Sequence, residues 1–121
     1  MAPQDYTIRN LSRRTMVASS CREHAGLIGK ATGLMFARRA HPIMFTFRGP
    51  RIVSLHMFFV LFRIDVLWVD AQGKVVEVLE GFRPFHTHTP SARASRVVEL
   101  PHGAVSSSKT RQGDILLIIP A

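Results

Sequence analysis

The sequence predicts a mainly β protein, α+β at the margin: a compact β-sandwich or half-barrel of about six to eight short strands, with one short helix near residues 21–30. Three observations carry this. Short β-prone apolar runs recur at regular intervals from Pro42 onward. Eight glycines and seven prolines are spread along the chain and punctuate those runs. Only one stretch carries a helix-start signal.

In chain order, Tyr6 to Val17 holds a short alternating piece suited to an edge strand. Ser20-Cys21-Arg22-Glu23 has the S-x-x-E form of a capping box, in which the Ser oxygen and the Glu carboxylate satisfy orphan N–H donors reciprocally. Ala25, Leu27 and Ile28 would follow as one short helix, ended by Gly29 or Gly33. Ile43 to Phe47 is β-prone and is closed by the turn chemistry of Arg48-Gly49-Pro50-Arg51. Ile52 to Leu61 and Ile64 to Val69 are the strongest apolar runs, and continuous hydrophobicity predicts strands buried on both faces. Asp70 to Gly73 separates the second run from Lys74–Leu79, a strand with one wet face, at hairpin spacing. Gly81 to Ala94 is polar and reads as a long loop, a place where function concentrates. Arg96 to Leu100 resumes as strand, Pro101-His102-Gly103 turns, Ser106 to Gly113 connects, and Ile115 to Ile119 is a last buried strand.

A chain of 121 residues, 46% hydrophobic and 20% charged, suits one domain over 1–121 and excludes disorder. The single cysteine, Cys21, has no intramolecular partner, and Met1 to Asn10 lacks a basic start followed by an apolar stretch; both fit a soluble, cytoplasmic protein. Ile52 to Val69 approaches bilayer length, but His56, Arg63 and Asp65 interrupt it, so no membrane partner is expected. The net charge of +8 favours polyanions, although thirteen of the sixteen basic residues are Arg scattered from Arg9 to Arg111, as on an ordinary solvated surface.

Several segments resemble the family known as domain of unknown function 192. They are Gly33-Leu34-Met35-Phe36, His41-Pro42-Ile43-Met44-Phe45, the stretch from Ser54 to Val66 with its His56-Met57 and Ile64-Asp65 pairs, and Val69 to Val76. Phe82-Arg83-Pro84-Phe85, Val98-Glu99-Leu100-Pro101-His102-Gly103 and Gly113-Asp114 follow in the same order. The resemblance covers roughly residues 20 to 116 and implies a compact β-rich fold. Where the family usually has proline, this chain has Arg63, which puts the shape of the bend before Ile64 in doubt. Bacterial relatives often carry export signals, and none is visible here. The resemblance implies no activity.

For chemistry, His56 among apolar neighbours and Asp65 beyond a bend could orient one another for proton transfer or for holding a ligand. The plainer reading is two buried polar groups bonding backbone. His86 and His88, at i and i+2, would face one way in an extended segment, with His41, His102, Asp114 or Glu99 as further metal ligands. No C-x-x-C or H-E-x-x-H pattern supports a metal, and neither metal nor cofactor is expected. Arg83 between Phe82 and Phe85 resembles a stacking grip, or a pair of anchors for a long loop. Cys21 would be activated only at a helix start. No nucleophile elbow, Walker loop or dinucleotide fingerprint occurs.

The expectation is therefore a non-catalytic binding module rather than an enzyme, for a small polar or anionic ligand such as a carbohydrate. Its candidate residues are His56, Asp65, Arg83, Phe85, His86, His88, Glu99 and His102. The alternatives are nucleic-acid binding through the basic surface, and a hydrolase or lyase using His56 with Asp65.

Overall fold

A computed structural model describes residues 4–25, 40–58 and 60–121. In chain order its strands are β1 (Asp5–Asn10), β2 (Thr15–Ala25), β3 (Ile43–Arg51), β4 (Leu55–His56), β5 (Ile64–Val69), β6 (Val75–Phe82), β7 (Thr87–His88), β8 (Ala94–Pro101) and β9 (Leu116–Pro120). One short helix, α1 (Ala104–Ser108), lies between β8 and β9. Seven strands form a sheet in the order β6-β5-β8-β3-β2-β1-β9, and β4 and β7 pair as a separate ribbon. Neighbours in the sheet are antiparallel except β2 and β3, which run parallel. The predicted mainly β class holds, in its half-barrel form.

The sheet curls until its two edge strands touch at one end. Lys74 bridges Ile115, the Leu116 N–H donates to Gly73 O at 2.8 Å, and the Val75 N–H donates to Asp114 O at 2.8 Å. Gly73 permits this seam: its φ is +87°, and a Cβ there would lie 2.5 Å from Leu116 O. Beyond the seam β6 has only β5 as a sheet neighbour, and α1 packs beside the gap.

Side chains alternate between two cores. On one face Ile43, Phe45, Val66, Trp68 and Val97 pack with Val53, Leu55, Met57 and Val60 from the ribbon and its flanks. On the other, Ile8, Cys21, Met44, Leu67 and Leu100 pack with Val105 of α1. β5 is buried along its whole length, as its continuous hydrophobicity predicts. Its Trp68 is fully buried, and the indole Nε1–H donates to Val53 O at 2.9 Å.

Two expected elements are corrected. Ser20 to Ala25, the first turn of the expected helix, belongs to β2; residues 26–30 lie outside the described part. Strand neighbours on both sides outweigh the local capping signal: Cys21 pairs with Tyr6, and Arg22 to Ala25 pair with Ile43 to Thr46. The Glu23 carboxylate, instead of closing a capping box, accepts hydrogen bonds from Thr46 Oγ1 at 2.8 Å and Tyr6 OH at 3.5 Å across those strands.

The second correction concerns Ile52–Leu61, which is not a strand buried on both faces. Only Leu55–His56 is strand, and burial alternates: Val53, Leu55 and Met57 are buried, while Ile52, Ser54, His56 and Phe58 are exposed. The segment lies over the sheet as a cover, so one face meets the core and the other meets solvent. Four smaller adjustments follow. The edge strand expected within Tyr6–Val17 is β1, which lies between β2 and β9 rather than at an edge. The last strand, expected to be buried, is the edge strand β9, with Ile115 just before it and Leu117 and Ile119 within it exposed. β3 continues irregularly through the expected turn to Arg51, and the expected connection after Gly103 contains α1.

Candidate functional site

A groove of about 400 Å³ lies between β6 and α1. Val78 and Glu80 form its β6 wall, and Val105, Ser106 and Lys109 its α1 wall. Thr110 and Arg111 complete it. α1 stops because Lys109 takes a left-handed conformation, φ +58°, with its N–H on Ser106 O, while the Thr110 N–H returns to Val105 O. Thr110 Oγ1 is buried, 2.7 Å from Ser108 Oγ, and accepts from Asn10 Nδ2 at 3.1 Å. The Arg111 N–H donates to Asp114 Oδ2 at 3.0 Å, and Asn10 Nδ2 and Arg13 Nε donate to the same oxygen. Burial alone would raise the Asp114 carboxyl, but these donors hold it below its ordinary range. The backbones that carry Lys109 and Arg111 are thus fixed, while both side chains are exposed and neither forms an ion pair among the described residues.

Asp65 ties the two walls together. Fully buried, its Oδ1 accepts from the Gly81 N–H of β6 at 2.9 Å and lies 2.8 Å from His102 Nδ1. Its Oδ2 accepts from the Gly103 N–H at 2.9 Å and from the Val105 N–H, in α1, at 3.0 Å. Burial pushes this carboxyl upward, but the His102 bond and the three backbone donors outweigh it and keep it ionised below the usual carboxylate range. The Asp65 charge also sits well against the N–H groups of the helix start.

The partner of Asp65 is therefore His102 and not His56. His56 lies exposed on the ribbon, opposite Thr87, with its ring stacked on Phe58 at 4.9 Å and its Nδ1 accepting from the Phe58 N–H. The exposed His56 and the sealed Asp65 do not share the open cleft that a His56–Asp65 hydrolase or lyase requires.

The loop after β6 does meet the His56 segment, as expected. The Met57 N–H donates to His86 O, and the Phe85 N–H donates to Met57 O, each at 2.8 Å. The two loop histidines diverge in use. His86 is exposed, with Nδ1 3.0 Å from Pro84 O. His88 Nε2 lies 2.6 Å from Glu77 Oε2, and its ring packs by Trp68 and Phe82. Arg83 is exposed, and Phe85 is 57% exposed at φ +63°. No group of three His, Cys, Asp or Glu placed to hold a metal occurs among the described residues.

Glu99 points to the opposite sheet face from Asp65. It pairs across the ladders with Ile43 and Val66 and is 7% exposed. Burial pushes its carboxyl up to about 8. Cys21 is fully buried in a strand, and burial, then the nearby Asp5 charge, pushes its thiol up to about 12, so it is not an activated nucleophile.

The groove residues Val78, Glu80, Val105, Ser106, Lys109, Thr110 and Arg111 escaped sequence reasoning. The one available signal was the hydroxyl-and-cation run from Ser106 to Arg111, whose meaning depends on β6 lying opposite it.

Comparison with known proteins returns relatives without an assigned activity. The family model described as uncharacterized ACR matches residues 21–118. A UPF0127 protein of Pyrococcus horikoshii is 37% identical over 89 residues, covering 72% of this chain and 76% of that protein. One from Thermococcus kodakarensis is 33% identical over 67 residues, covering 55% of this chain, which spans 42% of that relative's length. Among crystal structures, a Sinorhizobium meliloti protein provisionally described as a transcription regulator superposes with a TM-score of 0.82 at 22% identity, over 97% of this chain and 94% of that one. A Novosphingobium aromaticivorans protein of unknown function gives 0.78 at 16% identity, over 97% and 93%. At those identities the likeness is one of fold.

Proposed function

Since the chain belongs to the DUF192 family of uncharacterized proteins, we propose from its own geometry that it is a non-catalytic binding module taking a small anionic ligand in the groove between β6 and α1. The observation that carries this is the pair of exposed cations, Lys109 and Arg111, on a braced backbone and free of ion pairs among the described residues. The fixed backbone keeps both cations on one side of the groove, and their long side chains give up rotamer freedom on binding. Arg suits a carboxylate or phosphate through its planar fork, and Lys adds a mobile point charge. Val78 offers apolar surface for a carbon skeleton, and Ser106 a hydroxyl. A phosphorylated or acidic sugar fits this lining. Glu80, the acid among the groove residues, would select against ligands with a second anionic group on that side.

The test is a thermal-shift panel of inorganic phosphate, citrate, glucuronate, a sugar phosphate and short RNA. It would be run on the wild type and on the Lys109→Ala/Arg111→Ala double variant. A ligand at a hundred times its dissociation constant adds about 2.7 kcal/mol, a rise of several degrees for a domain of this size. The expected result is a rise with one of the small anions that disappears in the double variant. Silence across the small anions, or a rise that survives the double substitution, would end this reading. A response to RNA alone, lost between roughly 50 and 200 mM salt, would favour nucleic-acid binding instead.

A further inference from the structure

A second feature lies on the ribbon side of the sheet, away from the groove. Residues 57–58 and 60–63 and residues 83–86 are joined at both ends. Met57 exchanges backbone hydrogen bonds with Phe85 and His86, and Ile64 pairs with Phe82 where β5 meets β6. Arg63 and Arg83, each one position beyond that last pair, consequently flank the same end. Three large apolar side chains on these joined segments are exposed: Leu61 at 69%, Phe85 at 57% and Phe58 at 45%. Leu61 is the most exposed large hydrophobic among the described residues. Clusters of this kind mark contact surfaces, whereas single exposed apolar residues do not.

Two observations say what kind of surface is met. The first is charge segregation. Residues 57–63 and 82–86 contain two arginines, Arg63 and Arg83, and no Asp or Glu, although the whole chain holds eight acids. Of the neighbouring acids, Asp65 is sealed by its donors, Glu77 is engaged by His88 and Ser91, and Glu80 lines the groove on the other side. The second is backbone strain. The His86 N–H closes a turn on Arg83 O with Pro84 and Phe85 at its centre, and Phe85 has φ +63°, where glycine is favoured. The fold holds a bulky ring outward in a conformation that costs about 1–3 kcal/mol, and such strain concentrates at functional positions.

We propose that this paired-loop end is a peripheral contact site for an anionic lipid surface, with Leu61, Phe85 and Phe58 entering the headgroup boundary and Arg63 and Arg83 meeting the phosphates. The absence of an expected membrane partner rested on spanning a bilayer, and no described helix is long and apolar enough for that; a peripheral contact needs no spanning segment. Single-stranded nucleic acid is the weaker occupant. The most exposed group, Leu61, has no π face for a base, and Phe58 already stacks with His56.

The experiment is co-sedimentation with vesicles of phosphatidylcholine alone and of phosphatidylcholine mixed with phosphatidylglycerol. The expected result is binding to the anionic vesicles only, weakening as salt rises. Leu61→Asp should weaken it at least about tenfold, the loss of one buried side chain. Phe85→Asn suits the positive φ, so the fold should persist by circular dichroism while binding falls. Arg63→Ser/Arg83→Ser should weaken binding, whereas Arg9→Ser/Arg48→Ser, removing the same charge elsewhere, should leave it within about twofold. No vesicle binding, equal loss from both arginine pairs, or dependence of RNA binding but not vesicle binding on these residues would each overturn the proposal.

Discussion

Glu99 shows what one residue contributes against the fold. Its neighbours across the ladders are Ile43 and Val66, it is 7% exposed, and burial lifts its carboxyl to about 8. An unfolded Glu ionises near 4.3. Below that value both states hold the proton and the site costs little. As the pH rises the unfolded chain ionises first, so stability falls by up to about 1.4 kcal/mol per pH unit until the folded carboxyl also ionises near 8. The wild type should therefore lose up to about 4 kcal/mol between pH 5 and 8, and Glu99→Gln should flatten that slope. Urea unfolding of both proteins at the two pH values checks this; parallel profiles would show that Glu99 is not the source.

At the scale of elements, α1 is only five residues long and cannot stand alone. Its start is tied to the sheet by Asp65, through the Gly103 and Val105 N–H groups on one oxygen and the Gly81 N–H and His102 on the other. Asp65→Asn keeps the shape but turns an N–H₂ toward donors, leaving buried groups unsatisfied, at a cost on the order of 3 kcal/mol. His102→Ala should cost less, because the ring is half exposed and three backbone donors remain. The folded Asp65 carboxyl titrates below its unfolded value, so its contribution is present above about pH 3.9 and is lost as acid passes through the folded value. Thermal melts of the three proteins between pH 2 and 6 should show Asp65→Asn the least stable at pH 6 and the gap narrowing in acid. A His102→Ala loss equal to that of Asp65→Asn would contradict this ordering.

Over the whole molecule, the half-barrel depends on the seam where the starts of β6 and β9 meet, residues about forty positions apart in the chain. Gly73→Ala places a methyl group 2.5 Å from Leu116 O, a backbone atom, at φ +87°. The seam must shift, at an expected 2–4 kcal/mol. Gly49→Ala, with nothing within 4 Å of its added methyl, is the matched control and should be near neutral. The single tryptophan, Trp68, is fully buried and reports unfolding by fluorescence. A Gly73→Ala melt indistinguishable from that of Gly49→Ala would mean that the seam contributes little to closure.

The class was legible because burial writes a local pattern: the continuous run Ile64–Val69 names a doubly covered strand, and the mixed run Lys74–Leu79 a strand with one wet face. The chain by itself also determined the charge balance, the lone thiol and the hairpin at Asp70–Gly73. Tertiary structure decided the rest. The capping box at Ser20–Glu23 yielded to strands on both sides, since ladder partners from Asp5–Asn10 and Ile43–Thr46 satisfy the backbone that a helix would otherwise satisfy. Burial of Ile52–Leu61 on one face only depends on its lying as a cover over the sheet. Asp65 found His102, thirty-seven residues away, rather than His56, nine away, because β5 and β8 are neighbours with Asp65 opposite Leu100. The groove exists only because β6 and α1, distant in sequence, stand on either side of a gap. A pattern in the chain states what each residue can do with its immediate neighbours; which groups converge is set by long-range pairing.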